Sequence, residues 1–337
     1  MFAENMYQRT MRNILTILFL LLMVACSPSS KEGKKSVKGK SQSAPYELLV
    51  VADKEWLKGS AGQVLLDVVE GPIEGLPQYE AQFRCTKINR VGFNRRFKVY
   101  RNIVIADVGK KYKEAEMGIA IDEYCKPQVI IYLSAPDDKS FISLIEERRD
   151  QLLDILNQQE FTRERNLLKK KYSGAVERQA QKQFGVRIFV PQDIDDVKAG
   201  KDFFWASSIK QEFKLNICMY SLPLRPLTLD EFVAARDSVM KRNIPGGKEG
   251  QWMETDSRTV SSHQGVMPDG QTPVGQVRGL WDMRHDAMGG PFVAYLLEDA
   301  KNNRLLVAEG FVFAPDEKKR PLIRELEAAL QTITIDR

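Results

Sequence analysis

The feature that most constrains the fold is a pair of strand-like segments near the C-terminus, joined by a short turn. The segments are "PFVAYLLED" (291–299) and "RLLVAEGFVFAP" (304–315), and "AKNNR" at their junction is typical of a hairpin turn. Two further strand-like segments, "DFFWASSI" and "KLNICMYSLPL", also follow one another directly. Strands that come in consecutive pairs, rather than in strict alternation with helices, predict an α+β fold with antiparallel sheets.

Amphipathic segments separate the strands. "PDDKSFISLIEERRDQLLDILNQQ" places its apolar residues on one side, and Asp137 or Asp138 can cap it. "TLDEFVAARDSVMKRNIPGG" begins with Thr228 and Glu231 at the spacing of a capping box. We therefore predict two layered halves, an N-terminal α/β half (46–160) and a C-terminal α+β half (184–337), with mainly antiparallel sheets packed against helices.

Two stretches depart from this pattern. Residues 161–183 are rich in charge and poor in large apolar side chains, so they predict a solvated connector helix, with a basic docking helix as the alternative. Residues 244–276 are rich in glycine and proline and lack an apolar period, which predicts a long loop. Loops of that length are usually functional or disordered.

The N-terminal segment predicts where in the cell the protein is located. Residues 14–24 form an uncharged apolar run, about half of what a membrane-spanning helix needs, with Arg12 before it and Cys26 just after. A small residue followed at once by cysteine resembles the bacterial lipobox, although Met23 stands where leucine is usual. We expect residues 1–25 to be a lipoprotein signal peptide and Cys26 to carry the lipid, which would link the protein to a membrane. A plain signal peptide with an incidental cysteine is the alternative, and translation can start at Met1 or Met11.

Residues 26–45 predict a flexible basic tether, because almost no large side chain is present to offset the ordering entropy. The whole chain carries a formal charge of +5, of which the signal peptide supplies +1 and the tether +4. Residues 46–337 are therefore neutral overall, and this excludes a nucleic-acid partner. Lysines beside a bilayer instead favour anionic lipid.

The remaining cysteines, Cys85, Cys125 and Cys218, form an odd set without close spacing. Buried thiols are the expected state of Cys85 and Cys218, with one disulfide as the alternative. No metal motif is present, since "DIDD" and "PDD" lack the spacing of a calcium loop. No cofactor motif is found either, because "IPGGKEG" lacks the spacing of a phosphate-binding loop.

Several blocks resemble a known family in the same order: "RNIVIADV", "FGVRIFVPQDIDDVK…DFFWASS", "LTLDEFVAARDSVMKRNIPGG", "RGLW…MGGPF" and "EGFVFAP…KRPLIRELEAAL". They are similar to the Bacteroidetes lipoproteins of domain-of-unknown-function family 4837, over nearly all of the chain after the tether. The resemblance implies a cell-envelope lipoprotein and brings no catalytic residue or ligand with it. Surface-exported lipoproteins of this phylum carry an acidic signal after the cysteine, whereas "SPSSKEGKK" is basic, so we expect an outer-membrane protein that faces the periplasm.

Two site hypotheses concern one segment, "RGLWDMRHDAMGGPF". The first is a hydrolase-like site in which His285 acts as a general base among the carboxylates of the cluster Asp282–Asp286; a solvated turn is the alternative. The second is a binding groove beside a mobile turn, with ordinary core packing as its alternative. Its expected residues are Arg278, Trp281, Gly289, Gly290 and Phe292. We favour a tethered binding or scaffold module with an envelope protein as partner, and an envelope enzyme is the alternative.

Overall fold

The structure is a computed structural model that describes residues 38–209 and 213–335. The N-terminal half contains a five-stranded sheet in the order β2-β1-β3-β5-β4. Its strands are β1 (Glu47–Val51), β2 (Arg84–Ile88), β3 (Asn102–Val108), β4 (Glu116–Ile121) and β5 (Val129–Ala135). Its helices are α1 (Lys54–Lys58), α2 (Ser60–Val69) and α3 (Asp138–Leu168).

The C-terminal half contains a seven-stranded sheet in the order β10-β11-β12-β13-β9-β8-β7 and a small pair, β14-β6. Its first elements are α4 (Gly174–Phe184), β6 (Val186–Arg187), β7 (Ile194–Gly200), β8 (Phe203–Ser208), β9 (Lys214–Pro223) and α5 (Leu229–Asn243). Then follow β10 (Met253–Val266), β11 (Pro273–Met283), β12 (Gly289–Asp299), a 3₁₀ turn (Ala300–Asn302), β13 (Arg304–Phe313), α6 (Lys319–Leu330) and β14 (Thr334–Ile335).

The α+β class is confirmed, and the predicted hairpin is present as β12 and β13, paired antiparallel around the 3₁₀ turn. All pairings of the large sheet are antiparallel. The five-stranded sheet of the N-terminal half is mostly parallel: only β4–β5 is antiparallel, and its other three pairings are parallel. Parallel strands need crossover connections, which are provided by α1 with α2, by residues 89–101 and by the segment that contains β4.

The prediction of a long loop over 244–276 is wrong. Residues 253–266 form β10, which pairs with β11 along nearly its whole length and is interrupted by one irregularity between Asp256 and Ser261. The strand gave no clear sequence signal because it lies at the sheet edge and carries mostly polar, half-exposed side chains. An edge strand of this kind shows little of the apolar alternation on which sequence patterns depend.

The connector predicted over 161–183 is not one solvated helix. Its first part is the end of α3, which is continuous to Leu168, and its second part is α4, capped by Ser173. Buried side chains from both parts enter the core of the C-terminal half: Phe161, Leu168, Val176 and Ala180. The many charges hid these few apolar positions, which are enough to fix both helices to the sheet.

The predicted tether ends earlier than expected. Cys26 and residues 1–37 lie outside the described residues, but residues 39–43 are bonded to the N-terminal half. The amides of Ser41 and Gln42 donate to the carbonyls of Lys126 and Val99, each at 3.0 Å. In the part of the chain that the structure describes, no helix is both long enough and apolar enough to cross a membrane.

The two helix N-termini that the sequence signalled are confirmed. Asp137 caps α3, and Thr228 and Glu231 form the predicted capping box of α5. Helix α6 has no side-chain cap of its own, since Lys318 occupies its N-cap position. The Glu80 carboxylate of the N-terminal half takes that role and accepts from the amides of Lys319 (2.6 Å) and Arg320 (3.1 Å). A carboxylate at a helix N-terminus is favoured by the helix dipole, so this contact joins the two halves.

A buried ion pair ties α5 to the large sheet. Arg236 donates to both carboxylate oxygens of Glu309 on β13, at 2.6 and 2.9 Å, and both side chains are fully buried. The same guanidinium donates to Thr255 on β10 at 2.7 Å and lies 4.0 Å from the ring centroid of Phe292 on β12. Three strands and one helix therefore meet at one charge pair.

We predict that Arg236→Ala lowers the free energy of unfolding by about 3–5 kcal/mol, because it leaves Glu309 buried without its partner. Urea denaturation measures the change. Arg242→Ala is the matched control, since Arg242 lies on the exposed side of the same helix and donates to Ser238 within that helix. The control should stay within about 0.5 kcal/mol of the parent. Equal losses in the two variants would contradict the importance of the buried pair.

Candidate functional site

A cavity of about 740 Å³ opens beside the turn that joins β11 to β12. Its walls come from the start of β10, the turn itself, the end of β13, the start of α6 and the loop around Gln78 in the N-terminal half. Its polar lining side chains are Gln78, Glu254, Asp282, Arg284, His285, Asp286 and Lys319. The volume lies within the range of small-molecule sites, about 300–1,000 Å³.

The turn has a defined shape. The Arg284 amide donates to the Trp252 carbonyl at 2.9 Å, and the Asp286 amide donates to the Met283 carbonyl at 3.0 Å. Gln251, only 8% exposed, donates through its side-chain amide to the His285 carbonyl and the Asp286 carboxylate, at 3.0 and 3.1 Å. The backbone of His285 adopts the left-handed conformation, with φ of 59°. A buried glutamine thus holds a non-glycine residue in an uncommon conformation at the mouth of the cavity.

The expectation of a mobile Gly-Gly turn is wrong. Gly289 and Gly290 are the first residues of β12, and neither has a positive φ. They are needed for close approach: a Cβ on Gly290 would lie 2.0 Å from the Val312 carbonyl oxygen, and one on Gly289 would lie 2.7 Å from an Asp282 carboxylate oxygen. Glycine is the residue that allows such approach of backbone to backbone.

The two aromatic residues of the predicted groove are core residues. Trp281 and Phe292 are each 1% exposed, and both belong to the cluster beneath α5. The Trp281 indole packs edge-on against Phe311 at 5.7 Å between ring centroids and donates to the Val312 carbonyl at 3.2 Å. The structure therefore favours the core interpretation of this pair, whereas the two glycines do reach the cavity wall.

Arg278 also differs from its expected place on a groove surface. Its side chain is 12% exposed and forms an ion pair with Glu327 of α6, which is 3% exposed. Glu327 accepts at 3.2 Å from Arg324, and Arg324 donates at 2.7 Å to Gln82 of the N-terminal half. Arg278 is thus part of the contact between the sheet, α6 and the N-terminal half, and its side chain does not line the cavity.

The cluster Asp282–Asp286 does line the cavity, but its groups are not arranged as a catalytic set. Within the described residues, the His285 ring has no hydrogen bond to Asp282 or Asp286, and the Asp286 carboxylate accepts from Gln251 and from the Ala287 amide. Burial raises the pKa of the Asp282 carboxyl, and neighbouring Asp256 and Glu254 raise it further. Among the described residues, no group of three potential ligands could hold a metal ion.

Several residues of the site escaped the sequence analysis. Gln78 and Lys319 are far from the turn in sequence, so no local pattern could join them to it. Trp252 is a clearer omission: Lys241 and Arg284 both lie over its ring, at 3.9 and 4.7 Å from the centroid. Its place in a glycine-rich stretch, two residues after Gly250, was the available signal. Contact with this ring stabilises the Arg284 guanidinium beside the turn.

The fold and this site define a two-half α+β protein with a preformed, mixed-charge cavity at the junction of a large sheet, a helix and the other half. Residues 173–332 match the family model described as "Domain of unknown function (DUF4837)", and the C-terminal half of the chain therefore belongs to that family. Residues 41–169 match a second one, "Domain of unknown function (DUF8532)". Membership of domain-of-unknown-function family 4837 is thus confirmed for residues 173–332. The block "RNIVIADV" lies within residues 41–169, so that family does not extend over nearly the whole chain.

Two solved structures share limited similarity with the chain. The Ran-binding protein Mog1p of Saccharomyces cerevisiae is 10% identical, with a TM-score of 0.30, and the alignment covers 45% of this chain and 92% of that one. A mutant of the protein Mog1 is 10% identical, with a TM-score of 0.28 and coverage of 44% and 90%. At these scores the similarity supports no argument about fold or function. No curated protein matches the chain.

We predict that Gly290→Ala lowers the free energy of unfolding by about 1–3 kcal/mol, because the new methyl group would displace the end of β13. Thermal and urea denaturation measure the loss. Gly247→Ala is the control, since a Cβ there meets no atom within 4 Å. It should change stability by less than about 0.5 kcal/mol. A Gly290→Ala protein as stable as this control would show that the approach of β12 to β13 is not tight.

Proposed function

We propose that the protein is a lipid-anchored lipoprotein of the outer membrane that faces the periplasm and works as a binding module. The cavity beside the β11–β12 turn is its binding site. The anchor is supported by the sequence: a charged start, a short apolar run and a small-residue end at Cys26. The basic segment that follows favours retention at an anionic bilayer.

One observation carries the binding role: the cavity is preformed. Its wall is built from segments of both halves, and buried Gln251 fixes the turn through two hydrogen bonds. A preformed cavity costs less ordering entropy on binding than a mobile loop does. The lining combines acidic and basic side chains around exposed strand ends, which suits a polar partner such as a peptide segment of another envelope protein.

The anchor is tested by metabolic labelling with a fatty acid. The parent protein should take up the label, and Cys26→Ala should accumulate as a precursor without it, because the thiol is the acceptor. Cys85→Ala is a matched control that removes a different cysteine and should keep the label. Label that persists in the Cys26→Ala protein would refute the anchor.

The binding site is tested with a photo-crosslinking residue at position 288, which lines the cavity. In intact cells it should yield a discrete adduct, whereas the same group at exposed Ala199 on β7 should not. Ala287→Trp should abolish the adduct by filling the cavity, and Ala199→Trp should leave it unchanged. A partner will shift the protein on a gel, and a small ligand will add mass to the intact chain. Adducts of equal yield from both positions, or none from position 288, would contradict the proposed site.

A further inference from the structure

Residues 89–101 form a layer over one face of the five-stranded sheet. The opposite face is covered by α2 and α3. On the near face, the apolar side chains of β1, β3 and β5 are buried beneath Phe93, Phe97 and Tyr100. The inner side of this segment is thus fixed by aromatic packing, and Phe93 also packs edge-on against Tyr124 at 6.0 Å between centroids.

The outer side of this layer is basic. We call residues 39–43, 89–101 and 122–128 together the basic face, because hydrogen bonds link the three segments. They contain seven Lys and Arg residues against two carboxylates, Asp122 and Glu123, although residues 46–337 as a whole are neutral. Segment 89–101 alone holds five of the cations and no carboxylate.

The cations differ in their partners. Arg90 pairs with Asp107 at 2.8 Å, Arg101 with Glu160 at 3.4 Å and Lys126 with Asp122 at 3.7 Å. Among the described residues, exposed Arg95 and Arg96 pair with no carboxylate.

Two further side chains shape the basic face. Lys98 lies over the rings of Phe93 and Tyr124, at 5.5 and 4.5 Å from their centroids. In the same segment, Val91 is 93% exposed. Cations beside aromatic rings and an exposed apolar side chain match the interfacial zone of a bilayer.

The chain leads toward Cys26 from this same face. The Lys126 amide donates to the Gly39 carbonyl at 2.9 Å, and the Arg101 amide donates to the Ser43 hydroxyl at 3.0 Å. Twelve residues separate Cys26 from Gly39, and the thirteen steps between the two Cα atoms span at most about 45 Å when fully extended. A lipid on Cys26 would therefore keep the basic face within that distance of the membrane surface.

We propose that the basic face docks on the anionic headgroups of the bilayer that holds the lipid on Cys26. This inference rests on the proposed anchor, which converts docking into an intramolecular step at high effective concentration. Arg95, Arg96 and exposed Lys40 contact the headgroups, and Val91 enters the interface. Docking of this kind depends on anionic lipid and weakens with salt.

The experiment uses the full lipidated chain, reconstituted on vesicles and followed by amide hydrogen exchange. Exchange over residues 89–101 should slow several-fold on vesicles with phosphatidylglycerol compared with pure phosphatidylcholine. About 1 M salt, where the Debye length is about 3 Å, should remove the difference. The double variant Arg95→Glu with Arg96→Glu should lose the slowing. Its matched control is Arg148→Glu with Arg149→Glu, which should behave as the parent does. These two adjacent, exposed residues belong to α3, which covers the other face of the five-stranded sheet.

The outcomes separate docking from the anchor. Exchange that is equal on both vesicle types, or slowing that survives in the Arg95/Arg96 variant, would overturn docking even if Cys26 takes up the fatty-acid label. Slowing on anionic vesicles by a full-length chain that takes up no label would support docking and refute the anchor. Equal loss of slowing in the Arg148/Arg149 control would assign the effect to net charge and would also overturn the proposal.

Discussion

The buried pair of Arg236 and Glu309 is the interaction on which the rest of the C-terminal half depends. Two charges without access to water are tolerated only when geometry is good and the remaining donors are used. Here the guanidinium uses its donors on Glu309 and Thr255 and lies against the face of Phe292. Helix α5 is therefore held in one position over β10, β12 and β13, and the ends of those strands form the walls of the cavity.

A second polar network joins the halves and completes that cavity. Glu80 caps α6 from the N-terminal half, and Glu327 on the same helix accepts from Arg278 and Arg324. Gly310 lets the helix lie close to β13, since a Cβ there would be 2.8 Å from the Leu326 side chain. These contacts bring Gln78 opposite the β11–β12 turn. The proposed binding site is thus a product of the contact between two domains of different families.

The proposed anchor and the proposed binding site lie in different domains. The anchor and the basic face belong to residues before 129, whereas the turn with Asp282 and His285 belongs to the C-terminal half. A chain arranged in this way can hold one domain at a membrane while the other contacts a partner in the aqueous space. The polar network around α6 joins the two domains.

Local patterns in the sequence determined the elements whose signals are local. The β12–β13 hairpin, the capping box of α5 and the cap of α3 were predicted because turn residues, caps and apolar periods lie within a few positions of each other. The wrong predictions have two causes: polar or charged composition that hid a few buried positions, as in β10 and residues 161–183, and partners that are distant along the chain. Edge strand β10 is defined by its pairing with β11. Position 290 must be glycine because any side chain there would clash with the Val312 carbonyl. Arg278 is buried because α6 brings Glu327 to it, and the cavity exists because residues around 78, 254, 285 and 319 converge. Only the tertiary structure could decide these, since side-chain burial and charge pairing depend on neighbours that no sequence window contains.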